Sequence, residues 1–268
     1  MELIDKIAVI TGAGSGIGRA LAVKFAQEGA RFVVCTDLNG DNASETAAMI
    51  GDKASGHALD VGDEDAVSAL VAQIEGEQGA IDVFVSNAGY GVGGGLDLAT
   101  SEWQRMMNVH TWAHLYAARA VIPGMVARGG GYLLNTASAA GLLTQMDSGP
   151  YAVSKHAAVA FAEWLRINYG DRNIGVSVLC PQAVRTNILG PAKPDSDKPF
   201  ADSDARQAAA DGILEPEDVA QDCVNAMRDE RFLVLPHKEV ETYFQRKAND
   251  YDRWLGGMRR FRRKLRGE

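Results

Sequence analysis

The sequence predicts an α/β fold, namely a single-domain, Rossmann-like, doubly wound parallel sheet of about seven strands with helices on both faces. Two patterns predict it. Short apolar runs alternate with longer amphipathic stretches along most of the chain, as parallel strands joined by helical crossovers do. The first apolar run leads directly into a glycine-rich turn and then into a helical pattern, which is the order of a dinucleotide-binding unit.

Each predicted element follows from its own stretch of sequence. The apolar runs predict strands near residues 6–11, 31–36, 56–59, 81–86, 131–137, 174–180 and 232–235. The amphipathic stretches predict helices near residues 16–28, 41–50, 64–78, 101–128, 150–170 and 216–229. Ligands of such sheets bind beyond the carboxyl ends of the strands. Six residues near these ends are therefore expected to line one crevice: Gly12, Asp37, Asp60, Asn87, Ser138 and Pro181.

The glycine-rich turn runs from Thr11 to Gly18 and follows the apolar strand that contains Ile10. Glycines let the backbone approach a pyrophosphate closely, and the N-terminus of the helix that follows offers unpaired N–H groups and a positive dipole end. The order of strand, turn and helix therefore predicts a dinucleotide site.

Asp37 ends the second strand, about 20 residues past the glycine turn, where a carboxylate can accept hydrogen bonds from an adenosine ribose. A 2′-phosphate there would meet a repulsion on the order of 4 kcal/mol at an effective dielectric constant of about 20. No arginine or lysine stands at Ser15, Thr36 or Leu38 to offset it. The sequence therefore favours NAD over NADP. The alternative is that Asp37 is only a turn residue before the Asn-Gly pair that follows.

Tyr151 and Lys155 lie four positions apart in a predicted helix, so a phenol and an ammonium share one face. A phenol with its usual pKa of about 10 is a poor base at neutral pH, but a neighbouring cation favours its phenolate form. Ser138 stands thirteen residues before Tyr151, at the end of an apolar run, where its hydroxyl could hold a substrate oxygen. The three side chains suggest acid/base chemistry.

Several motifs occur in one order along the chain: the glycine turn, Asp60-Val61, Asn87-Ala88-Gly89 and Tyr151-x-x-x-Lys155. With them the sequence resembles the short-chain dehydrogenase/reductase family over nearly its whole length. The resemblance implies an NAD-dependent oxidoreductase that interconverts a secondary alcohol and a ketone by hydride transfer. The catalytic tetrad that it implies is Asn108, Ser138, Tyr151 and Lys155. The residues expected to bind the cofactor are Gly12, Ser15, Gly16, Ile17, Gly18, Asp37, Leu38, Asp60, Val61, Asn87, Ala88, Gly89, Tyr151, Lys155, Pro181, Val184 and Thr186.

The resemblance implies a role for each member of the tetrad. Tyr151 is expected to be the base in alcohol oxidation and the acid in ketone reduction, while Ser138 hydrogen-bonds the reacting oxygen. Lys155 is expected to stabilise the phenolate and to hold the nicotinamide ribose. Asn108 is expected to anchor a water that links Lys155 to solvent. The alternative for Asn108 is that, as in many helices, the asparagine satisfies a local backbone group.

One residue departs from the family pattern. The family has Pro-Gly after the sixth strand, whereas this chain has Pro181-Gln182. Gln182 adds a side chain beside the expected nicotinamide, so we expect the pocket to have a different shape there.

Small and apolar residues follow Ser138 and recur after Pro181, which predicts an apolar pocket for a hydrophobic or aromatic alcohol or ketone. The residues expected to contact the substrate are Tyr90, Ala140, Leu142, Met146, Gln182 and Ile188. The alternative is that several of them pack in the core. A segment near residues 187–213, rich in proline, aspartate, serine and alanine, predicts a mobile lid, with plain surface disorder as the alternative.

The composition fits one domain. With 268 residues, of which 46% are hydrophobic and 23% charged, the chain can bury a sizeable core. It contains no apolar run of about 18 residues that could span a membrane and does not begin like a signal peptide, so the predicted location is cytoplasmic. Cys35, Cys180 and Cys223 are widely spaced, which predicts reduced packing residues and not a disulfide framework.

The C-terminal tail differs in charge from the rest of the chain. Residues 253–268 carry seven basic side chains and one acidic one, a net charge of +6. Since the whole chain has a net charge of −8, the remaining residues have a net charge of −14. Beyond a catalytic domain of residues 1–252, we expect this tail to contact the acidic body or another subunit, and the glycines at 256–257 to interrupt any long helix. Nucleic acid is not an expected partner. The resemblance implies a homodimer or homotetramer, and we expect it to pair through the helices at 101–128 and 150–170.

Two other classes of function compete with the dehydrogenase. His110 and His114 stand four residues apart and could share a helix face, but no acidic or cysteine ligand nearby completes a site, so no metal is expected. The alternative function is a dinucleotide-binding regulatory or scaffold protein without turnover. The intact tetrad favours the enzyme, because a sensor needs no proton relay.

Overall fold

The computed structural model describes residues 1–189 and 207–268. Its strands are β1 (Ile7–Thr11), β2 (Phe32–Asp37), β3 (Ala54–Ala58), β4 (Val83–Ser86), β5 (Gly131–Thr136), β6 (Ile174–Leu179) and β7 (Leu233–Val234). They form one parallel sheet in the order β3-β2-β1-β4-β5-β6-β7. From β1 to β3 the chain adds strands towards one edge of the sheet, and from β4 to β7 it adds them towards the other edge. The boundary between β1 and β4 is therefore the switch point, where doubly wound sheets bind ligands. The predicted fold class is confirmed, and each strand lies within two residues of its predicted bounds.

Helices flank the sheet on both faces. They are α1 (Gly16–Gln27), α2 (Gly40–Ile50), α3 (Glu64–Glu77), α4 (Thr100–Met107), α5 (Ala113–Ala127), α6 (Ala140–Leu143), α7 (Gly149–Tyr169), α8 (Pro216–Arg228), α9 (Glu239–Asn249) and α10 (Tyr251–Arg266). A π-helical turn, Asn108–Trp112, joins α4 to α5. Short 3₁₀ turns occur at Gly170–Arg172 and Asn187–Leu189.

Alternate residues of each strand pack on opposite faces of the sheet, because strand side chains point in turn to its two sides. Ile7 and Val9 of β1 contribute to a core with α3, α5 and α7, whereas Ala8 and Ile10 contribute to a core with α1 and α8. All four side chains are fully buried. Burial on both faces explains why the strand is an uninterrupted apolar run in the sequence.

The prediction of one continuous α-helix at 101–128 is wrong, because a π-helical turn separates α4 from α5. Two side chains of this turn contact Ser154 of α7. The Nδ1 atom of His110 lies 3.0 Å from Ser154 Oγ, and Thr111 Oγ1 donates a hydrogen bond of 3.1 Å to the Ser154 carbonyl. The turn is thereby held against α7, and π-helical turns are frequent at functional sites.

The prediction that the glycines at 256–257 interrupt the tail is also wrong, since both lie within α10. Each helical glycine costs about 1 kcal/mol relative to alanine, and other features offset that cost. Asp250 accepts the N–H of Arg253 at the first turn, at 3.0 Å. Basic residues in the last turn interact favourably with the negative end of the helix dipole. Partly buried apolar side chains recur on one face of the helix, at Trp254, Met258, Phe261 and Leu265.

The two C-terminal helices pack on the segment that precedes α7. In α9, which was not predicted, the buried ammonium of Lys247 donates a 2.6 Å hydrogen bond to the Leu142 carbonyl of α6. In α10, Arg262 and Arg266 each lie 2.7 Å from a carboxylate oxygen of Asp147. The basic tail therefore contacts the body of its own chain, which was one of its two predicted partners.

No helix in the described residues has the length and apolar character that crossing a membrane requires. All three cysteines are buried and unpaired, as predicted. Burial raises the pKa of the Cys35 and Cys180 thiols to about 12. These thiols are therefore protonated packing groups at neutral pH.

Candidate active site

A cleft of about 660 Å³ opens at the carboxyl ends of the central strands. Its wall includes all six residues that the strand-end rule selected, from Gly12 after β1 to Pro181 after β6. It also includes every residue predicted for the catalytic tetrad and for cofactor binding. The sheet topology therefore gathers into one cleft residues that are far apart in the sequence.

The glycine turn forms the floor of the cleft below α1. Gly12 and Gly16 have φ angles of +65° and +53°, which side chains rarely adopt. A Cβ atom at Gly18 would lie 2.1 Å from the Gly12 carbonyl oxygen, so the turn can be this tight only with glycine. Ser15 precedes α1 without a capping hydrogen bond from its side chain. The first N–H groups of α1 are therefore available to an anion such as a pyrophosphate.

A hydrogen-bond network fixes the loop after β4 to the two neighbouring strands. The backbone N–H groups of Asn87 and Ala88 donate to Thr11 Oγ1 at 2.9 and 3.1 Å. The Asn87 amide donates to the Thr11 carbonyl at 3.0 Å and accepts from Thr136 Oγ1 at 3.1 Å. Loops from β1, β4 and β5 thus keep one relative position at the centre of the cleft.

The Asp37 carboxylate accepts backbone hydrogen bonds and also lines the cleft. Its Oδ2 atom accepts the Gly14 N–H and its Oδ1 atom accepts the Asn39 N–H, both at 3.0 Å. The turn-residue alternative for Asp37 is therefore partly correct. It does not exclude ribose binding, because each carboxylate oxygen can accept a second hydrogen bond and the side chain lines the cleft.

Tyr151 and Lys155 lie on the face of α7 that borders the cleft. The Lys155 Nζ atom is 5.7 Å from the centroid of the Tyr151 ring and donates a 3.0 Å hydrogen bond to the Thr136 carbonyl. Only 3% of Lys155 is exposed, and this burial lowers the pKa of its ammonium to about 8. A positive charge therefore stands beside the phenol at neutral pH.

Ser138 follows β5 and lies on the cleft wall with Tyr151. Its hydroxyl donates to the Pro181 carbonyl at 3.4 Å and accepts the Ala140 N–H at 3.1 Å. The long first contact is weak. The hydroxyl can therefore turn its proton towards a substrate oxygen at little cost.

Asn108 and His110 both belong to the π-helical turn but differ in surroundings. Asn108 lines the cleft with an exposed side chain. His110 is fully buried, and its ring is perpendicular to the Tyr151 ring with the centroids 5.4 Å apart. No feature of the sequence indicates this contact, because a single π-helical turn leaves no trace in the apolar periodicity. The helical spacing of His110 and His114 points only to a metal site, not to a contact with Tyr151.

The comparisons with known proteins agree with this geometry. The sequence matches the family model described as short chain dehydrogenase over residues 6–197. It is 34% identical over 263 residues to 1-deoxy-11-beta-hydroxypentalenate dehydrogenase of Streptomyces avermitilis, which covers 95% of this chain and 93% of that protein. The chain belongs to the short-chain dehydrogenase/reductase family.

This short-chain dehydrogenase/reductase is also similar to a second named enzyme and to a solved structure. The 7alpha-hydroxysteroid dehydrogenase of Escherichia coli is 32% identical over 192 residues, 70% of this chain and 75% of that protein. The crystal structure of a short-chain dehydrogenase/reductase from Burkholderia phymatum in complex with NAD is similar with a TM-score of 0.84 and 29% identity, over 94% of this chain and 96% of that one.

The predicted substrate residues of this family member divide into two groups. Tyr90, Gln182 and Ile188 line the cleft. Ala140, Leu142 and Met146, which were also expected to contact the substrate, are not part of its wall. Ala140 and Leu142 are buried because α6 turns them into the protein, where Leu142 joins the core with α5 and α7. Most of the predicted lid, residues 190–206, lies outside the described residues.

Two polar atoms of the cleft residues have no hydrogen-bond partner among the described residues. They are the buried Tyr90 hydroxyl and the buried Oε1 atom of Gln182. The Gln182 backbone N–H donates to His237 Nδ1 at 3.2 Å, and this hydrogen bond holds the backbone of Gln182 in position. Gln182, the departure from the family pattern, therefore adds an acceptor atom and not only bulk.

Arg105 is a cleft residue that the sequence reasoning missed. Its guanidinium carbon lies 5.5 Å from the centroid of the Tyr90 ring, and its side chain lines the cleft. An arginine on an amphipathic helix is typical of a solvated face, so the sequence carried no sign of this position. Among the described residues, no group of three or more His, Cys, Asp or Glu side chains could hold a metal ion.

Proposed function

We propose that this protein is an NAD-dependent oxidoreductase that interconverts a secondary alcohol and a ketone, with a hydrophobic or aromatic substrate. The observation that carries the proposal is the position of the Tyr151–Lys155 pair in the same cleft as the glycine turn and Asp37. Bound NAD would supply the hydride acceptor for oxidation, and its reduced form the donor for reduction.

The side chains of the chain itself would handle the proton. Tyr151 would take the alcohol proton as a phenolate, or give a proton to the ketone oxygen as a phenol. Lys155 would favour the phenolate by its charge, which it keeps at neutral pH because its pKa of about 8 lies above 7. Ser138 would orient the substrate oxygen with its hydroxyl. The predicted role of Asn108, the anchoring of a water towards solvent, stays a prediction.

NAD is the favoured cofactor because of Asp37. Its carboxylate faces the cleft at the end of β2, where it would accept the ribose hydroxyls and repel a 2′-phosphate. The Burkholderia phymatum relative was crystallised with NAD, which supports the same choice.

The substrate class rests on the wall of the cleft and on two relatives. Val184 and Ile188 supply apolar surface near Gln182 and Tyr90. The names of the relatives give a hydroxypentalenate and a 7alpha-hydroxysteroid as their substrates, and a steroid is a large apolar alcohol. We therefore propose a bulky carbocyclic alcohol or ketone over a sugar, which would need many polar partners. The cytoplasmic location stays a prediction.

The test is turnover by the purified protein with NAD and a panel of steroid, aromatic and aliphatic secondary alcohols, followed by the absorbance of the reduced nicotinamide. The Tyr151→Phe variant removes the hydroxyl and is expected to lower kcat by about 10²–10⁴-fold, the usual contribution of a general acid/base. NAD binding, measured by calorimetry, should change little.

Tyr169→Phe at the far end of α7 is the matched control and should keep the activity. NAD binding without turnover across the whole panel would favour the regulatory or scaffold protein. Full activity of Tyr151→Phe would refute the assignment of the acid/base.

A further inference from the structure

The His110 ring connects two parts of the cleft by a chain of hydrogen bonds. Its Nε2 atom lies 3.1 Å from the backbone nitrogen of Tyr90, in the loop after β4. Its Nδ1 atom lies 3.0 Å from Ser154 Oγ on α7. Ser154 Oγ in turn lies 3.0 Å from the carbonyl oxygen of Tyr151. This series of hydrogen bonds therefore connects the loop after β4 to the backbone of Tyr151.

The donor and the acceptor of each hydrogen bond in this series can be assigned. A backbone N–H can only donate, so His110 Nε2 must be the acceptor and Nδ1 must carry the ring proton. The Nδ1–H group then donates to Ser154 Oγ, and the Ser154 hydroxyl is left to donate to the Tyr151 carbonyl. The arrangement needs a neutral histidine, because a proton on Nε2 would face the Tyr90 N–H.

The electrostatic surroundings keep His110 neutral. The ring is fully buried, and this burial, together with the nearby charge of Lys155, lowers the pKa of His110 well below its usual value. Both of its hydrogen bonds therefore persist at neutral pH. The perpendicular contact with the Tyr151 ring adds a third constraint on the same side chain.

We infer that His110, and not Asn108, is the residue of the π-helical turn that positions Tyr151 against the loop after β4. Asn108 is two residues earlier and has an exposed side chain. His110 is a positioning residue, since it acts through Ser154 and through the ring of Tyr151. The inference rests on the proposed function in one respect only, that Tyr151 is the acid/base.

Three variants separate hydrogen bonding from packing. His110→Phe keeps an aromatic ring beside Tyr151 but removes both hydrogen bonds. His110→Asn restores an acceptor and a donor on a smaller side chain. His156→Ala changes another histidine, on α7 and outside the cleft wall, and serves as the control.

We expect His110→Phe to lower kcat by about 10- to 100-fold, because a displacement of about 1 Å at the reacting group costs that much. KM and the Kd for NAD should change less than kcat, because the loosened loop after β4 is only one of the predicted cofactor contacts, and the glycine turn and Asp37 are untouched. His110→Asn should recover most of kcat, and His156→Ala should equal the wild type. The inference is overturned if His110→Phe is fully active.

Two measurements do not depend on turnover. Hydrogen exchange by mass spectrometry should show faster exchange of residues 87–91 and 149–155 in His110→Phe and recovery in His110→Asn, even if no alcohol of the panel reacts. Nitrogen-15 NMR of the wild type should show a protonated Nδ1 and a bare Nε2 at pH 7. Unchanged exchange, or a proton on Nε2, would overturn the positioning role and leave the proposed function intact. Inactive wild type with the expected exchange pattern would refute only the proposed function.

Discussion

Three titratable side chains are buried near one another: Lys155, His110 and His114. Burial, and then the charge of Lys155, lower the pKa of both histidines. Burial also lowers the pKa of Lys155, but only to about 8. The cluster therefore holds a single positive charge at neutral pH, and that charge is next to Tyr151.

The pKa of His114 predicts a loss of stability in mild acid. It is about 3 in the folded protein, against about 6.5 in an unfolded chain. Below pH 6.5 the unfolded state therefore binds one more proton, and the free energy of unfolding falls as the pH falls. His114 should remove about 1.4 kcal/mol between pH 7.5 and 5.5.

The His114→Gln variant isolates this contribution. It should lose about 1.4 kcal/mol less than the wild type over the same pH interval, because the remaining titrating groups are shared. Urea unfolding at pH 7.5 and 5.5 gives the four free energies. Parallel losses in the two proteins would mean that His114 is not held neutral by the fold.

Asp37 predicts the choice of cofactor. Replacement by alanine removes the charge that is proposed to face the adenosine ribose, so Asp37→Ala should lower the ratio of NAD to NADP affinity by about tenfold or more, equal to about 1.4 kcal/mol. The Kd values of both cofactors give the ratio. Asp41→Ala removes a nearby charge that is not part of the cleft wall and should leave it unchanged. An unaltered ratio in Asp37→Ala would refute the ribose assignment.

The sequence predicts individual residues best where a local motif requires them. Gly12, Asp37 and Lys155 are in the cleft because glycine conformation, strand ends and helical spacing are properties of short segments. Ala140 and Leu142 were misplaced, because the orientation of a short helix is decided by what packs on it. The His110 contact could not be predicted for the same reason.

At the scale of elements, the last two helices support the segment between α6 and α7. Lys247 of α9 holds the end of α6, and α10 holds Asp147, whose side chain is only 13% exposed. Tyr151 follows Asp147 by four residues. The C-terminus therefore stabilises the segment that leads into α7, the helix of Tyr151, although the two are distant in sequence.

The pairing of α10 with Asp147 predicts a specific loss of stability. The double variant Arg262→Ala/Arg266→Ala should lower the free energy of unfolding by about 1 kcal/mol, a modest value because both arginines are partly exposed. The loss should shrink in 1 M salt, where the Debye length is about 3 Å. Urea unfolding at low and high salt measures both.

A matched control has the same change in charge. Arg259→Ala/Arg260→Ala removes two exposed arginines from the same helix and should change the stability by less than about 0.5 kcal/mol. Equal losses in the two double variants would show that net charge, and not the contact with Asp147, stabilises the tail.

At the scale of the whole molecule, none of the described residues covers one face of α7. Val153, Trp164 and Ile167 lie along this face and are 50%, 50% and 78% exposed. Their spacing of 11 and 3 residues places them in one stripe, with small alanines between. An exposed apolar stripe of this kind is typical of a subunit interface. The homodimer or homotetramer expected from the family stays a prediction.

The stripe makes the oligomer testable. We expect the wild type to sediment as a dimer or tetramer, and Ile167→Glu to weaken association by about tenfold or more, because a charge would be buried at the contact. Sedimentation equilibrium measures the association constant. Met49→Glu, at another exposed apolar position, on α2, should leave it unchanged. A monomeric wild type would contradict the prediction.

The sequence by itself determined the parallel sheet, the glycine turn and the residues at the strand ends. These follow from apolar periodicity and from the conformational freedom of glycine, which act over a few neighbouring residues. The tertiary structure alone decided that His110 faces Tyr151, that α6 faces the core and that α10 forms and binds Asp147. Each depends on contacts between segments distant in sequence, such as Arg262 and Asp147, 115 residues apart. No local pattern encodes such a contact, because its energy exists only once the chain has folded.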